Sequence, residues 1–71
     1  MMKINDPVDV RERFAFTHGW ATLRAISDGT QINEVTITKA LKGKPIQMKT
    51  VLRIAHALNA SASEIATVAE N

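Results

Sequence analysis

Five basic side chains, Lys39, Lys42, Lys44, Lys49 and Arg53, fall in the window from Val35 to Ser63, which contains no Asp or Glu. The acids Asp6, Asp9, Glu12, Asp28, Glu34, Glu64 and Glu70 all lie outside it. A formal net charge of +2 would mean little if it were spread evenly. Gathered in this way, the ammonium and guanidinium groups are the footprint of a surface that neutralises phosphates, while a solvated basic face without a partner would carry the same pattern.

The other reactive side chains offer little to catalysis. Ser27, Ser61 and Ser63 read as helical or capping residues with no base beside them, and there is no glycine-rich phosphate loop and no paired set of carboxylates. A bundle of 71 residues is expected to have little room for a pocket of about 300 Å³. No enzyme activity, cofactor or small-molecule ligand is therefore expected. His18 and His56 stand far apart with no cysteine in the chain, so no metal site is expected either. His18 reads as a solvated histidine at a helix end, with a phosphate contact as the alternative. Phe14, Phe16 and Trp20 precede the basic window and have no cations interleaved with them, which makes them core or dimer-contact residues rather than a platform for stacking bases.

The elements that must position the basic residues follow from periodicity and capping signals. Residues 1–8 show no periodicity and contain Pro7, so they are expected to form a loose arm, with residues 9–69 as the single domain. Asp9 is the candidate cap of a helix from Val10 to His18, ended by Gly19, with Trp20 packed beside that end. Thr22 caps a short helix from Leu23 to Ser27, closed by the Asp28-Gly29-Thr30 turn signal. Asn33 caps the next, where Ile37, Ala40 and Leu41 recur at helical spacing up to Gly43. The β-branched run Thr36-Ile37-Thr38 argues against that helix on propensity alone, so packing must supply the difference. Met48 to Leu58 is the strongest helix, with Met48, Val51, Leu52, Ile54, Ala55 and Leu58 as one wide apolar stripe. Ser61 or Ser63 then starts a last helix carrying Ile65 and Val68.

The fold expected is all-α, a compact bundle of about five short helices with brief connections and no strand pattern. A small chain of this kind buries only about 60% of its unfolded surface, so modest stability is expected. No cysteine is present, no apolar run approaches the ~20 residues of a membrane span, and the first residues lack an apolar signal core. A soluble protein of the reducing cytoplasm is the expectation.

From Thr22 to Lys44 the order is a short helix, a tight connection, and a second helix with polar residues at its start. This is the layout of a helix-turn-helix, whose second helix enters the major groove. Ile26, Ile32, Ile37 and Ala40 are available to fill the space between the two helices. Two stretches carry a resemblance to the lambda-repressor-like, or Cro/cI-type, helix-turn-helix regulators. They are Ile32-Asn33-Glu34-Val35-Thr36-Ile37-Thr38-Lys39-Ala40-Leu41-Lys42-Gly43-Lys44-Pro45, and Thr50-Val51-Leu52-Arg53-Ile54-Ala55-His56-Ala57-Leu58-Asn59-Ala60-Ser61. The chain departs from the family pattern at Ser27, where a small residue such as Ala is usual, at Gln31, where the turn glycine is usual, and at Leu23, where Gln is frequent.

The resemblance implies that Asn33, Glu34, Val35, Thr38 and Lys39 read bases from a recognition helix over residues 33–42. Lys39 would donate to guanine, Asn33 would pair with adenine, Val35 would touch a thymine methyl and Glu34 would accept from cytosine. It also implies that Thr22, Thr36, Lys42, the Gly43 amide, Lys44 and Lys49 grip the DNA backbone. The function implied is a sequence-specific transcriptional regulator, a Cro-like repressor of phage or prophage type, bound as two copies to a pseudo-palindromic operator in double-stranded DNA. The Ile65–Val68 region and the Phe16 region are the candidate dimer surfaces. A protein-interaction module of the same fold, an antitoxin or a modulator that binds another repressor, is the alternative, and Gln31 and Glu34 are the features that favour it.

Overall fold

The computed structural model describes residues 1–69. The first helix, α1 (Pro7–His18), begins earlier than the sequence suggests. Asp6, rather than Asp9, is its cap: the Asp6 carboxylate accepts a hydrogen bond from the Asp9 amide at 3.1 Å. Pro7 then opens the helix, where its missing N–H leaves nothing unsatisfied. Val10 and Phe14 point into the core, and Gly19 ends the helix at φ 73°, a left-handed conformation that costs glycine little.

Helix α2 (Leu23–Thr30) has Thr22 as its cap, with Oγ1 accepting from the Ala25 amide at 3.1 Å. It runs through Asp28-Gly29-Thr30, which was expected to end it. The reason lies outside the helix: Trp20 packs its ring so closely on Gly29 that a methyl group there would overlap the indole. Gly29 is therefore a packing residue inside a helix, and not a turn signal.

Helix α3 (Glu34–Leu41) is capped by Asn33, whose Oδ1 accepts from the Val35 amide at 2.8 Å. Three β-branched residues in its middle cost at most about 2 kcal/mol of helix propensity. Full burial of Ile37, together with Ala40, offsets that, since one buried Ile side chain contributes about 2 to 3 kcal/mol. Helix α4 (Met48–Ala57) buries Thr50, Val51, Ile54 and Ala55, and Leu58 follows as its buried C-cap. Its apolar stripe is narrower than expected: Met48 and Leu52 remain 48% and 53% exposed.

The expected last helix is a single turn, α5 (Ala62–Ile65), with a capping box between Ser61 and Glu64. Ile65 closes it in the core, but Val68 belongs to a strand and is exposed. That strand, β2 (Ala66–Val68), pairs antiparallel with β1 (Met2–Ile4) in the register Met2↔Val68, Lys3↔Thr67 and Ile4↔Ala66. On its other side Met2 exchanges two 2.7 Å hydrogen bonds with Ile46. Residues 1–8, expected to be a loose arm, thus contain a strand paired with β2 and bridged at Met2 to Ile46, followed by the start of α1, and Ile4 is buried. There are five helices among the described residues, and this small sheet packs on α3, α4 and α5. Among the described residues no helix is long and apolar enough to cross a membrane.

Candidate nucleic-acid interface

Helices α2 and α3 pack on one another and are joined by Gln31, Ile32 and Asn33. Each part of this connection is held. Gln31 adopts φ 60° and ψ 31°, the left-handed conformation for which the resembled family uses glycine. Two hydrogen bonds hold this non-glycine residue in place: its Nε2 donates to the Asp28 carbonyl at 2.8 Å, and Arg53 Nη1 donates to its carbonyl at 3.0 Å. Ile32 is buried, and its carbonyl accepts from the Ser27 hydroxyl. Two of the three departures from the family pattern, Ser27 and Gln31, therefore serve the same turn. Beyond its charge, Arg53 has no role legible in the sequence; only contact across the fold shows it reaching this turn from α4.

The exposed side of α3 carries Asn33, Glu34, Val35 and Lys39, with Thr38 half-buried at its edge. Their hydrogen-bonding capacities are unequal. Asn33 spends its side-chain oxygen on the Val35 amide, so two-pronged pairing with adenine competes with the cap, and its amide N–H groups are what it offers outward. Thr38 donates its hydroxyl proton to the Glu34 carbonyl at 2.9 Å, which leaves an acceptor and a methyl group facing out. Val35 is 65% exposed, an apolar contact surface on the first turn of α3. Glu34 forms no salt bridge among the described residues.

The residues assigned to the backbone divide by position. Thr36, Lys39 and Lys49 come together along a shallow cleft between α3 and the start of α4. Thr36 and Lys49 also line a second cleft with Asn33 and Arg53. Lys42 and Lys44 are exposed on the loop after α3. Gly43, expected to offer its amide to phosphate, does not have it free: it donates to the Ala40 carbonyl at 3.1 Å, while Lys44 N donates to Lys39 O at 3.0 Å. These paired bonds, with Gly43 at φ 73°, are a Schellman cap, so Gly43 shapes the loop and the lysine side chains are left to make contacts. Thr22 stands apart at the start of α2. Its oxygen accepts from Ala25, and its hydroxyl proton stays available to an acceptor in solution.

No ion pair engages Lys39, Lys42, Lys44, Lys49 or Arg53 among the described residues; the two salt bridges, Arg13 with Asp9 and Arg24 with Asp28, lie on α1 and α2. Nor do the described residues gather three or more His, Asp or Glu where a metal ion could be held. One expectation about space fails. An open groove of about 690 Å³ lies between the ends of α1 and α2 and the outer face of α4, well above what a chain this short was expected to hold. It arises because Leu52 sits outside the core and Trp20 only partly fills the gap.

No family model matches the chain, and no curated protein or solved structure matches it. The likeness to the Cro/cI-type regulators rests on the residues quoted for it.

Proposed function

We propose that this protein is a sequence-specific regulator that binds double-stranded DNA through α3, in the manner of a Cro-like phage or prophage repressor acting in the cytoplasm. The observation that carries the reading is the exposed row Asn33, Glu34, Val35 and Lys39 on α3, with Lys39 and Lys49 lining one cleft with Thr36, and with Lys42 and Lys44 exposed on the loop that follows and free of ion pairs among the described residues. In a helix-turn-helix, polar and small groups at the start of the second helix meet base edges while flanking cations and hydroxyls hold the phosphates. Lys39 and Val35 are the base-reading residues in this proposal, with Asn33 as a single donor and Thr38 as an acceptor. Thr22, Thr36, Lys42, Lys44 and Lys49 grip the backbone. A single unit offers few base contacts, so two copies are proposed to occupy a pseudo-palindromic operator.

A footprint on the DNA flanking the protein's own gene tests this. Protection of two half-sites about 10 base pairs apart supports the reading. Uniform coverage with no preferred site contradicts it.

Glu34 favours a second reading. An exposed carboxylate on the first turn of α3 is repelled by phosphates, and it would suit a basic protein partner instead. As an interaction module the chain would bind another regulator, and its affinity for duplex DNA would be no more than weak and non-specific.

A further inference from the structure

The groove between Trp20 and α4 lies beside the α2–α3 turn and has no part in the DNA contacts proposed above. We propose that it binds a small organic carboxylate with an apolar body, the carboxylate on Arg53 and the body against Trp20 and Leu52.

The volume of about 690 Å³ falls within the range of about 300 to 1,000 Å³ of small-molecule sites. Its aromatic wall is held by contacts from α1 and α2. His18 stacks on the Trp20 ring with centroids 4.0 Å apart and planes 14° apart, and His18 Nε2 is itself held 2.6 Å from the Ala57 carbonyl. Phe14 backs the same indole at 5.8 Å, and Gly29 lies directly against it. The part of the indole left exposed between these contacts is held in place, so it loses little entropy when a ligand body meets it. Leu52, half-exposed on α4, faces the same space.

The charge of the lining selects the polar end of the ligand. Arg53 and His56 border the groove from α4 and His18 from α1, and no Asp or Glu lines it. Arg53 uses Nη1 on the Gln31 carbonyl, and the remaining N–H groups of its guanidinium have no carboxylate partner among the described residues. A guanidinium presents its donors in a fork that matches a carboxylate, and beside apolar walls that pairing is stronger than in open water. An inorganic anion would leave Trp20 and Leu52 uncovered. An uncharged apolar molecule would leave the remaining guanidinium N–H groups to water.

Trp20 is the one tryptophan of the chain, so its emission reports on the groove directly, without DNA. The probe is 4-phenylbutyrate, with 4-phenylbutan-1-ol as the uncharged analogue of the same body. The expected result is a saturable change in Trp20 emission with the carboxylate and binding weaker by about tenfold or more for the alcohol, the scale of a lost charged hydrogen bond. Arg53→Gln weakens the carboxylate to the same degree and leaves the alcohol unaffected. Leu52→Asn, at a half-exposed position that the fold does not depend on, weakens both. A response that never saturates across the millimolar range overturns the proposal, as does equal binding of the two compounds or unchanged binding in Leu52→Asn. Because no DNA is present, failure here leaves the regulator reading standing, and failure of that reading leaves this site standing.

Discussion

Arg53 of α4 donates a hydrogen bond to the carbonyl of Gln31, the residue that turns the chain from α2 into α3 in a left-handed conformation. A non-glycine residue there costs on the order of 1 kcal/mol, and this contact offsets part of it. Arg53→Ala is expected to lower stability by about 1 kcal/mol, the net worth of an exposed hydrogen bond of this type. Gln31→Gly is expected to raise it by up to about 1 kcal/mol, because relief of the left-handed strain exceeds the loss of the Asp28 contact. Urea unfolding of both variants checks the pair. A destabilised Gln31→Gly would mean that the side-chain bond, and not Arg53, is the principal brace.

Gly29→Ala should be destabilising although Gly29 lies in a helix, where alanine ordinarily gains about 1 kcal/mol over glycine. The added methyl group meets the Trp20 ring, and overpacking of that kind costs about 1 to 3 kcal/mol. The expected net change is a loss, accompanied by a shift in Trp20 emission as the ring is displaced. Thermal unfolding followed by fluorescence measures both.

Ile4→Ala is expected to lower stability by about 2 to 4 kcal/mol, as for a buried isoleucine elsewhere in a core. A loose arm would show no effect. The comparison of chemical unfolding midpoints for the variant and the parent distinguishes the two.

These cases mark where sequence reading succeeds and where it stops. The caps at Thr22 and Asn33 and the left-handed terminators Gly19 and Gly43 were legible because each acts on backbone groups within a few residues of itself. The strand at Met2–Ile4 was not, because its partners are Ala66–Val68 and Ile46, and strands of 3 residues are too short to show alternation. Asp6 lost the capping assignment to Asp9 because Pro7 was read as a breaker when it is the first residue of the helix. Met48 and Leu52 share the helical spacing of the core residues of α4, but spacing does not show which edge of the stripe stays exposed. The basic residues and the exposed face of α3 were legible from the charge pattern. The bracing role of Arg53 and the engaged amide of Gly43 depend on contacts that composition does not encode.

Glu34→Gln separates the two functional readings. On the DNA-binding reading, removing a carboxylate from the phosphate-facing end of α3 strengthens binding to random duplex, by about threefold to tenfold for a repulsion on the order of 1 kcal/mol. On the interaction-module reading it weakens binding to a protein partner and changes DNA affinity little. Fluorescence anisotropy with a labelled random duplex reads the difference.

If α3 reads DNA while the surrounding lysines hold its backbone, salt and the lysines must act on affinity and on base preference separately. The most direct measurement is the affinity for a footprinted fragment and for random duplex across a salt series, with the parent, Lys39→Ala, and the double variant Lys42→Ala/Lys44→Ala. The expected result is a steep loss of affinity with salt and a salt slope shallower by about 2 in the double variant, with both DNAs weakened alike. Lys39→Ala is expected to narrow the gap between the two DNAs. Affinity that is insensitive to salt, or no fragment preferred over random duplex at low salt, would contradict the regulator reading.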